Sequence, residues 1–212
     1  MLYDDTVILL FSKAPVEGYV NTRLIPDIGV KAATKLQHDL IHQRLIMLTK
    51  ADCCAVHLMC APDTQDELFL QCKQQYPVSL IAQSEGDIGA RMLNAVKAGL
   101  QHYKYCIVIG TDAPALNVVN IKQAIEELQA GVEVVFVPAE DGGYVLVGLR
   151  QSYDFLFQGI NWGSAEVMQQ SKAKLMNNNV SYIELARCWD IDRLEDYQRY
   201  LQYSQNKHSD LP

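Results

Sequence analysis

The sequence predicts an α/β fold: one domain on a mostly parallel, locally mixed sheet flanked by helices. Three observations predict it. Short apolar runs rich in Val, Ile and Leu alternate with helical periodicity over the first half of the chain, the pattern of right-handed βαβ crossovers. The runs 132–138 (VEVVFVP) and 144–149 (YVLVGL) are separated only by a turn with two adjacent glycines, so the sheet is mixed there. No repeat, linker or low-complexity segment interrupts the 212 residues, so 1–203 read as one domain and 204–212 as a polar, disordered C-terminal tail.

The elements follow in order. Residues 6–11 (TVILLF) form a buried first strand. Residues 12–26 contain Pro15, Gly18 and Pro26 and read as a loop. A helix spans 30–49, with Ala33, Leu36, Leu40, Ile41, Leu45 and Leu48 on one face. A strand at 53–61 leads to a helix opened by Pro62 and capped by Asp63 or Thr64. A short strand at 78–82 leads through a glycine-containing loop to a helix ending near His102. The central strand is 106–110. A helix over 117–129 buries Ile121, Ile125 and Leu128 before the two neighbouring strands. Residues 155–160 pack loosely, and Trp162-Gly163-Ser164 starts a helix ending at Asn177. A strand at 182–186, an acidic turn at 189–192 and a helix over 194–203 complete the chain.

Composition excludes some classes. A net charge of −7 argues against a nucleic-acid partner, which needs a basic footprint. The longest apolar runs are strand-length, so no membrane span is expected. The first residues carry Asp4 and Asp5 and no basic stretch, so a cytoplasmic setting is expected. The six cysteines form no CxxC pair and read as reduced thiols, three of them in strand-like runs.

The P-loop pattern, the G-x-G-x-x-G fingerprint after the first strand and the G-x-S-x-G elbow are all absent. Four loops remain, all expected at the carboxyl edge of one sheet, where ligands of open α/β sheets bind. The central strand runs into Gly110-Thr111-Asp112, delivering a carboxylate that suits Mg²⁺ or Mn²⁺, or caps the next turn. The first loop offers Lys13, Gly18, Thr22 and Arg23, donors that suit a phosphate or are solvated surface charges. Gly86-Asp87-Ile88-Gly89, with Arg91, opens a helix whose free N–H groups suit an anion; Asp87 as a plain cap is the alternative. Asp141-Gly142-Gly143-Tyr144, with Asp190 and Asp192, adds acids that could share a cation, or that build turns and cap the last helix.

The runs FSKAPVEGYVNTRL, GDIGARM, IGTDAPAL, PAEDGGYVLVGL, INWGSAEV and DIDRLEDY together resemble a bacterial family of small GT-A-like nucleotide-diphospho-sugar transferase homologues, labelled glycosyltransferase A or selenodomain-associated transferase. The resemblance covers about Val7 to Leu201, with the motifs in family order. It extends more distantly to 2-phospho-L-lactate guanylyltransferase and molybdenum-cofactor guanylyltransferase. It implies a Rossmann-like three-layer αβα sandwich binding a nucleotide or nucleotide-sugar beside Mg²⁺ or Mn²⁺.

By position, Asp112 matches the metal acid, with Asp190 or Asp192 as the second. Lys13, Gly18, Thr22 and Arg23 match the phosphate loop, and Gly86, Asp87 and Gly89 the loop near base and ribose. Asp141, Gly142, Gly143 and Tyr144, with Trp162 beside them, would face an unidentified acceptor, Asp141 as general base. One position departs: Asn21 stands where the family loop carries lysine, and a neutral amide cannot replace that charge. The expected activity is glycosyl transfer from a nucleotide-sugar. The alternatives are nucleotidyl transfer from a triphosphate and a nucleotide-binding protein without turnover. Phe155, Phe157 and Trp162 read first as a lid over the core, and otherwise as a homodimer interface.

Overall fold

The computed structural model describes residues 1–209. Strands β1 (Thr6–Lys13), β2 (Ala55–Ala61), β3 (Ser79–Ala82), β4 (Tyr105–Gly110), β5 (Val134–Pro138), β6 (Tyr144–Leu149) and β7 (Tyr182–Glu184) form one sheet in the order β3-β2-β1-β4-β6-β5-β7. β6 is antiparallel to β4 and β5; every other pairing is parallel. The parallel sheet with one antiparallel insertion expected from the alternation of elements is therefore what forms.

The sheet has helices on both faces. β1 shows why: all four residues Val7 to Leu10 are buried, and successive side chains point to opposite sides. Ile8 and Leu10 pack with α2 (Val30–Ala51), α3 (Glu67–Gln75) and α5 (Val118–Ala130). Val7 and Leu9 pack with α4 (Ile88–Gly99), α6 (Asp154–Phe157) and α7 (Val167–Asn177). A third cluster joins Leu24, Leu36 and Leu40 to Trp189, Ile191 and Tyr200, fastening the final helix, α8 (Leu194–Ser209), over α2.

Three local expectations are corrected. The first loop holds a short helix, α1 (Ile25–Ile28), because Pro26 sits at its start, where no N–H is needed. Residues 155–160 are not loose, since Leu156 and Phe157 are buried in the second cluster. The final helix runs to Ser209 rather than stopping at Tyr203, so most of the expected tail is helical; 210–212 lie outside the described residues. The cysteines are all buried and pack as small hydrophobes. No helix among the described residues is long and apolar enough to cross a membrane.

Candidate active site

From β1 the sheet continues to β2 on one side, and from β4 to β6 on the other. Their carboxyl ends part, and the crevice at such a reversal is where open α/β sheets take ligands. A pocket of about 350 Å³ lies there, within the size range of small-molecule sites. It gathers Lys13, Asn21, Arg91, Asp112, Tyr144 and Asp190 from the sequence-derived candidates, together with Ser12, Gln37, Gln83 and Thr111. Buried polarity concentrates here: Ser12, Gln37 and Thr111 line the pocket, and Arg44 stands behind it.

Asp112 follows β4 and folds back over it. A β-carbon on Gly110 would stand 2.6 Å from Asp112 Oδ1, so the glycine is what lets the carboxylate lie there. Asp112 stays open to solvent at the pocket floor while protein surrounds it elsewhere. Burial, with Asp141 and Asp192 nearby, raises its carboxyl above the usual range; its own backbone N–H and the Arg44 guanidinium pull it back. Arg44, from α2, is buried, which lowers its pKa to about 10. It donates from Nη1 to the Leu116 carbonyl at 2.6 Å and from Nη2 to the Ala113 carbonyl, clasping the loop that carries Asp112.

Asp190 reaches the same place from the far end of the chain. The Cys188 N–H donates to the Pro138 carbonyl (2.9 Å) and the Ile191 N–H to the Asp112 carbonyl (2.9 Å), lacing this segment across the sheet edge. Burial, then Asp112 and Asp141, push the Asp190 carboxyl up to about 7. Asp192 is held differently: both its oxygens accept from Arg23 Nη1, at 2.8 and 2.7 Å. Of the two late acids, Asp190 is the one that lines the pocket.

Acids raised by burial and by neighbouring carboxylates suit a hard divalent cation, which supplies the missing positive charge. Asp112 and Asp190 could hold Mg²⁺ or Mn²⁺. No group of three or more potential ligands is arranged for a metal among the described residues. Any cation there would have two carboxylates at most and would complete its shell with water or substrate oxygens.

The raised Asp190 carries a testable consequence for the metal-free protein. Its folded pKa, about 7, exceeds the unfolded carboxylate value near ~3.9, so the folded state binds the proton more tightly. Keeping it ionised costs stability progressively as pH rises from ~4 to ~7. Asp190→Asn is therefore expected to raise stability by about 1–2 kcal/mol at pH 8, discounted for partial exposure, and by nothing at pH 4. Urea midpoints at both pH values measure this; a variant less stable than the parent at pH 8 contradicts it.

Other candidates take structural roles. Asn21 has φ +48°, a left-handed conformation that asparagine tolerates better than lysine, and its Nδ2 donates to the Ala33 carbonyl at 2.9 Å. One amide hydrogen is thereby held by the scaffold, while the side chain still lines the pocket. Asp87 caps α4, accepting from the Ala90 N–H at 2.8 Å. Gly89 is a glycine because a β-carbon would fall on the Phe157 carbonyl oxygen and the Trp162 indole nitrogen. Trp162 packs there and against Tyr144, rings 6.4 Å apart, and is not among the pocket-lining residues. Tyr144 borders the pocket; burial raises its phenol far above the usual range, so it stays protonated, and its buried hydroxyl makes no full hydrogen bond among the described residues. Asp141 is exposed and accepts from the Gly143 N–H at 2.8 Å. Gly18, Thr22, Gly86, Gly142 and Gly143 lie in surrounding loops and do not line the pocket.

Arg44, Gln37 and Gln83 escaped the sequence reading. Arg44 and Gln37 stand on the buried face of α2 among Leu36, Leu40, Ile41, Leu45 and Leu48, and polar side chains interrupting an apolar stripe were the available signal.

Comparison with known proteins adds the family. A family model matches residues 45–164, more than half of the chain. The chain belongs to DUF2064, described as an uncharacterized protein family conserved in bacteria. Among solved structures, DUF2064 as represented here is similar to a "putative nucleotide-diphospho-sugar transferase" from Desulfovibrio desulfuricans G20: 28% identity, TM-score 0.80, covering 90% of this chain and 83% of that one. It shares its fold with a nucleotidyl transferase from Methanothermobacter thermautotrophicus (12% identity, TM-score 0.64, 95% and 98% covered). It shares it also with CMP:2-keto-3-deoxy-manno-octonic acid synthetase complexed with CTP (11% identity, TM-score 0.58, 96% and 100% covered). No curated protein matches the chain in sequence. The fold expected from the motif resemblance is the fold found.

Proposed function

We propose that the protein is a metal-dependent transferase that binds a nucleotide-sugar in the β1–β4 pocket and transfers the glycosyl group to a small acceptor. The observation that carries this reading is the joint placement in one pocket of Asp112 and Asp190 with Lys13 and Arg91, cations that form no ion pair among the described residues. Acids alone would repel a phosphorylated ligand, and cations alone would not call for a metal.

Asp112 and Asp190 would hold Mg²⁺ or Mn²⁺, which when bound offsets charge on the leaving diphosphate. Lys13 projects from the end of β1. Arg91 is oriented by its Nε, which donates to the Gly86 carbonyl at 2.8 Å and leaves the outer nitrogens without a partner among the described residues. Both donate to phosphate oxygens. Asp141, at the tip of the β5–β6 turn, takes the proton of the acceptor hydroxyl as that oxygen attacks the anomeric carbon. The similarity to the Desulfovibrio "putative nucleotide-diphospho-sugar transferase" supports this reading.

Nucleotidyl transfer from a triphosphate is the second reading. The fixed side chains weigh against it: Asn21 is turned to Ala33 and Arg23 to Asp192, so the first loop brings little positive charge to a third phosphate. Thermal-shift screening with UDP-, GDP- and CDP-sugars against free triphosphates, with and without Mn²⁺, tests both. Stabilisation by a nucleotide-sugar only with metal is expected, and Asp112→Asn is expected to abolish it. Triphosphate stabilisation with pyrophosphate release would favour nucleotidyl transfer. An unchanged shift in Asp112→Asn removes that residue from the site.

A further inference from the structure

Outside the pocket, α2 carries two histidines one helical turn apart. His38 and His42, at i and i+4, lie on one side of the helix, with ring centroids 4.7 Å apart. The run His38-Asp39-Leu40-Ile41-His42 has the spacing of the helical zinc pattern H-E-x-x-H, with Asp39 at the acid position. Leu40 and Ile41 are buried, so the turn between the histidines is anchored in the core. Both rings reach the surface: the His38 side chain is 46% exposed and His42 is half-buried.

Each ring is held through its Nδ1. His38 Nδ1 stands 3.3 Å from Asp39 Oδ1, and a carboxylate only accepts, so the ring hydrogen sits on Nδ1. The neutral ring then keeps its lone pair on Nε2. The other oxygen of Asp39 accepts from Lys35, so the orienting carboxylate is itself fixed. His42 Nδ1 lies 2.9 Å from the hydroxyl of Tyr76, just past the end of α3, and that oxygen can accept from Nδ1–H in the same way. Neither Nε2 has a partner among the described residues. A ring tied through one nitrogen to an oxygen, with the other nitrogen open, is how proteins hold metal-ligating histidines: the oxygen sets tautomer and ring orientation. Burial, then the neighbouring His38, lowers the pKa of His42, which keeps that ring in the neutral form a metal requires.

We propose that His38 and His42 form a transition-metal site on α2, a two-nitrogen chelate for Zn²⁺, Ni²⁺ or Cu²⁺. Imidazole suits these ions whereas carboxylates suit Mg²⁺, so this site differs in kind from the Asp112–Asp190 pair and is independent of the nucleotide reading. No third protein ligand is arranged around it among the described residues, so water completes the shell. Structural zinc sites are closed by four protein ligands; this one is open and exchangeable. Asp39 is committed to His38 and Lys35, so it orients a ligand rather than activating water. The two rings meet only while α2 is helical, so the ion binds the folded chain in preference and stabilises it.

The test is titration calorimetry with Ni²⁺ at neutral pH, with and without excess Mg²⁺, on the parent protein, His38→Gln, His42→Gln, Tyr76→Phe and Asp112→Asn. The parent is expected to bind Ni²⁺, with an affinity that excess Mg²⁺ and Asp112→Asn leave unchanged. Tyr76→Phe is expected to weaken binding by about 10-fold, the low end for losing a group that orients a ligand, and each histidine variant by more. His38→Gln alters an exposed side chain, so its loss of affinity is not a loss of folding. Ni²⁺ bound as tightly by His38→Gln as by the parent overturns the site, as does no binding to the parent. Loss of binding in Asp112→Asn or under Mg²⁺ places the ion at the acid pair and overturns the site equally. An unchanged affinity in Tyr76→Phe overturns the orienting role of Tyr76.

Discussion

Replacing Arg44 with alanine is expected to cost about 3–5 kcal/mol of folding stability, the range for breaking up a buried charged group. The guanidinium lies in the interior, donates to the carbonyls of Ala113 and Leu116, and leaves its Nε without a partner. Truncation opens a cavity and strips two buried carbonyls of their donors. Arg44→Met should cost less, about 2–3 kcal/mol, because it refills the volume but not the hydrogen bonds. Both variants also remove the cation that offsets the Asp112 carboxylate. Losing that charge alone would favour a cation, but the loop carrying Asp112 also loses its clasp, so the Mn²⁺-dependent thermal shift is expected to weaken in Arg44→Met even where the protein stays folded. Urea unfolding of the two variants measures the stability part. A cost below ~1 kcal/mol for alanine would show that the clasp on the Asp112 loop contributes nothing.

The second large effect is expected at the tip of the β5–β6 turn. Gly142 has φ +94°, and a β-carbon there would fall on the backbone carbonyl of Ala165. Its own carbonyl accepts from the Met168 N–H at 2.9 Å, so the turn is pressed onto the start of α7. Gly142→Ala combines left-handed strain with overlap against backbone, which cannot rotate aside, for about 2–4 kcal/mol. Gly143→Ala is the control: its β-carbon would approach only the Asp141 carboxylate, at 3.2 Å, and its φ is not in the left-handed region. It should cost ~1 kcal/mol or less, since that side chain can swing. Equal midpoints for the two variants would refute the docking of this turn.

Much of this fold was legible because its signals are local. Buried runs such as Ile107 to Ile109 and the two-glycine turn before β6 each declare themselves within a few residues, whereas the cap read at Asp63 or Thr64 is in fact Asp66. Asp112 was legible for the same reason, at the end of an apolar run with a glycine before it. What was not legible depends on tertiary pairing. Asp190 and Asp192 are two residues apart and alike in sequence, yet one lines the pocket and the other is held by Arg23. Asn21 looked like a weakened phosphate ligand; its backbone conformation and its bond to Ala33 make it part of the scaffold. Trp162 and Gly89 looked like separate binding elements and are two halves of one packing contact. Gln83 gave no signal, because only the fold brings it to the pocket.

The lacing of the 188–192 segment has a consequence during synthesis. A nascent chain that has emerged only through β6 already contains β1 to β6 and Asp112, but lacks Asp190 and the Ile191 N–H that bonds to the Asp112 carbonyl. The acid pair comes together only when the last fifth of the polypeptide arrives. On the proposed reading, a nucleotide and a metal would find no complete pocket on the growing chain, and the sheet must assemble from its own apolar strands first.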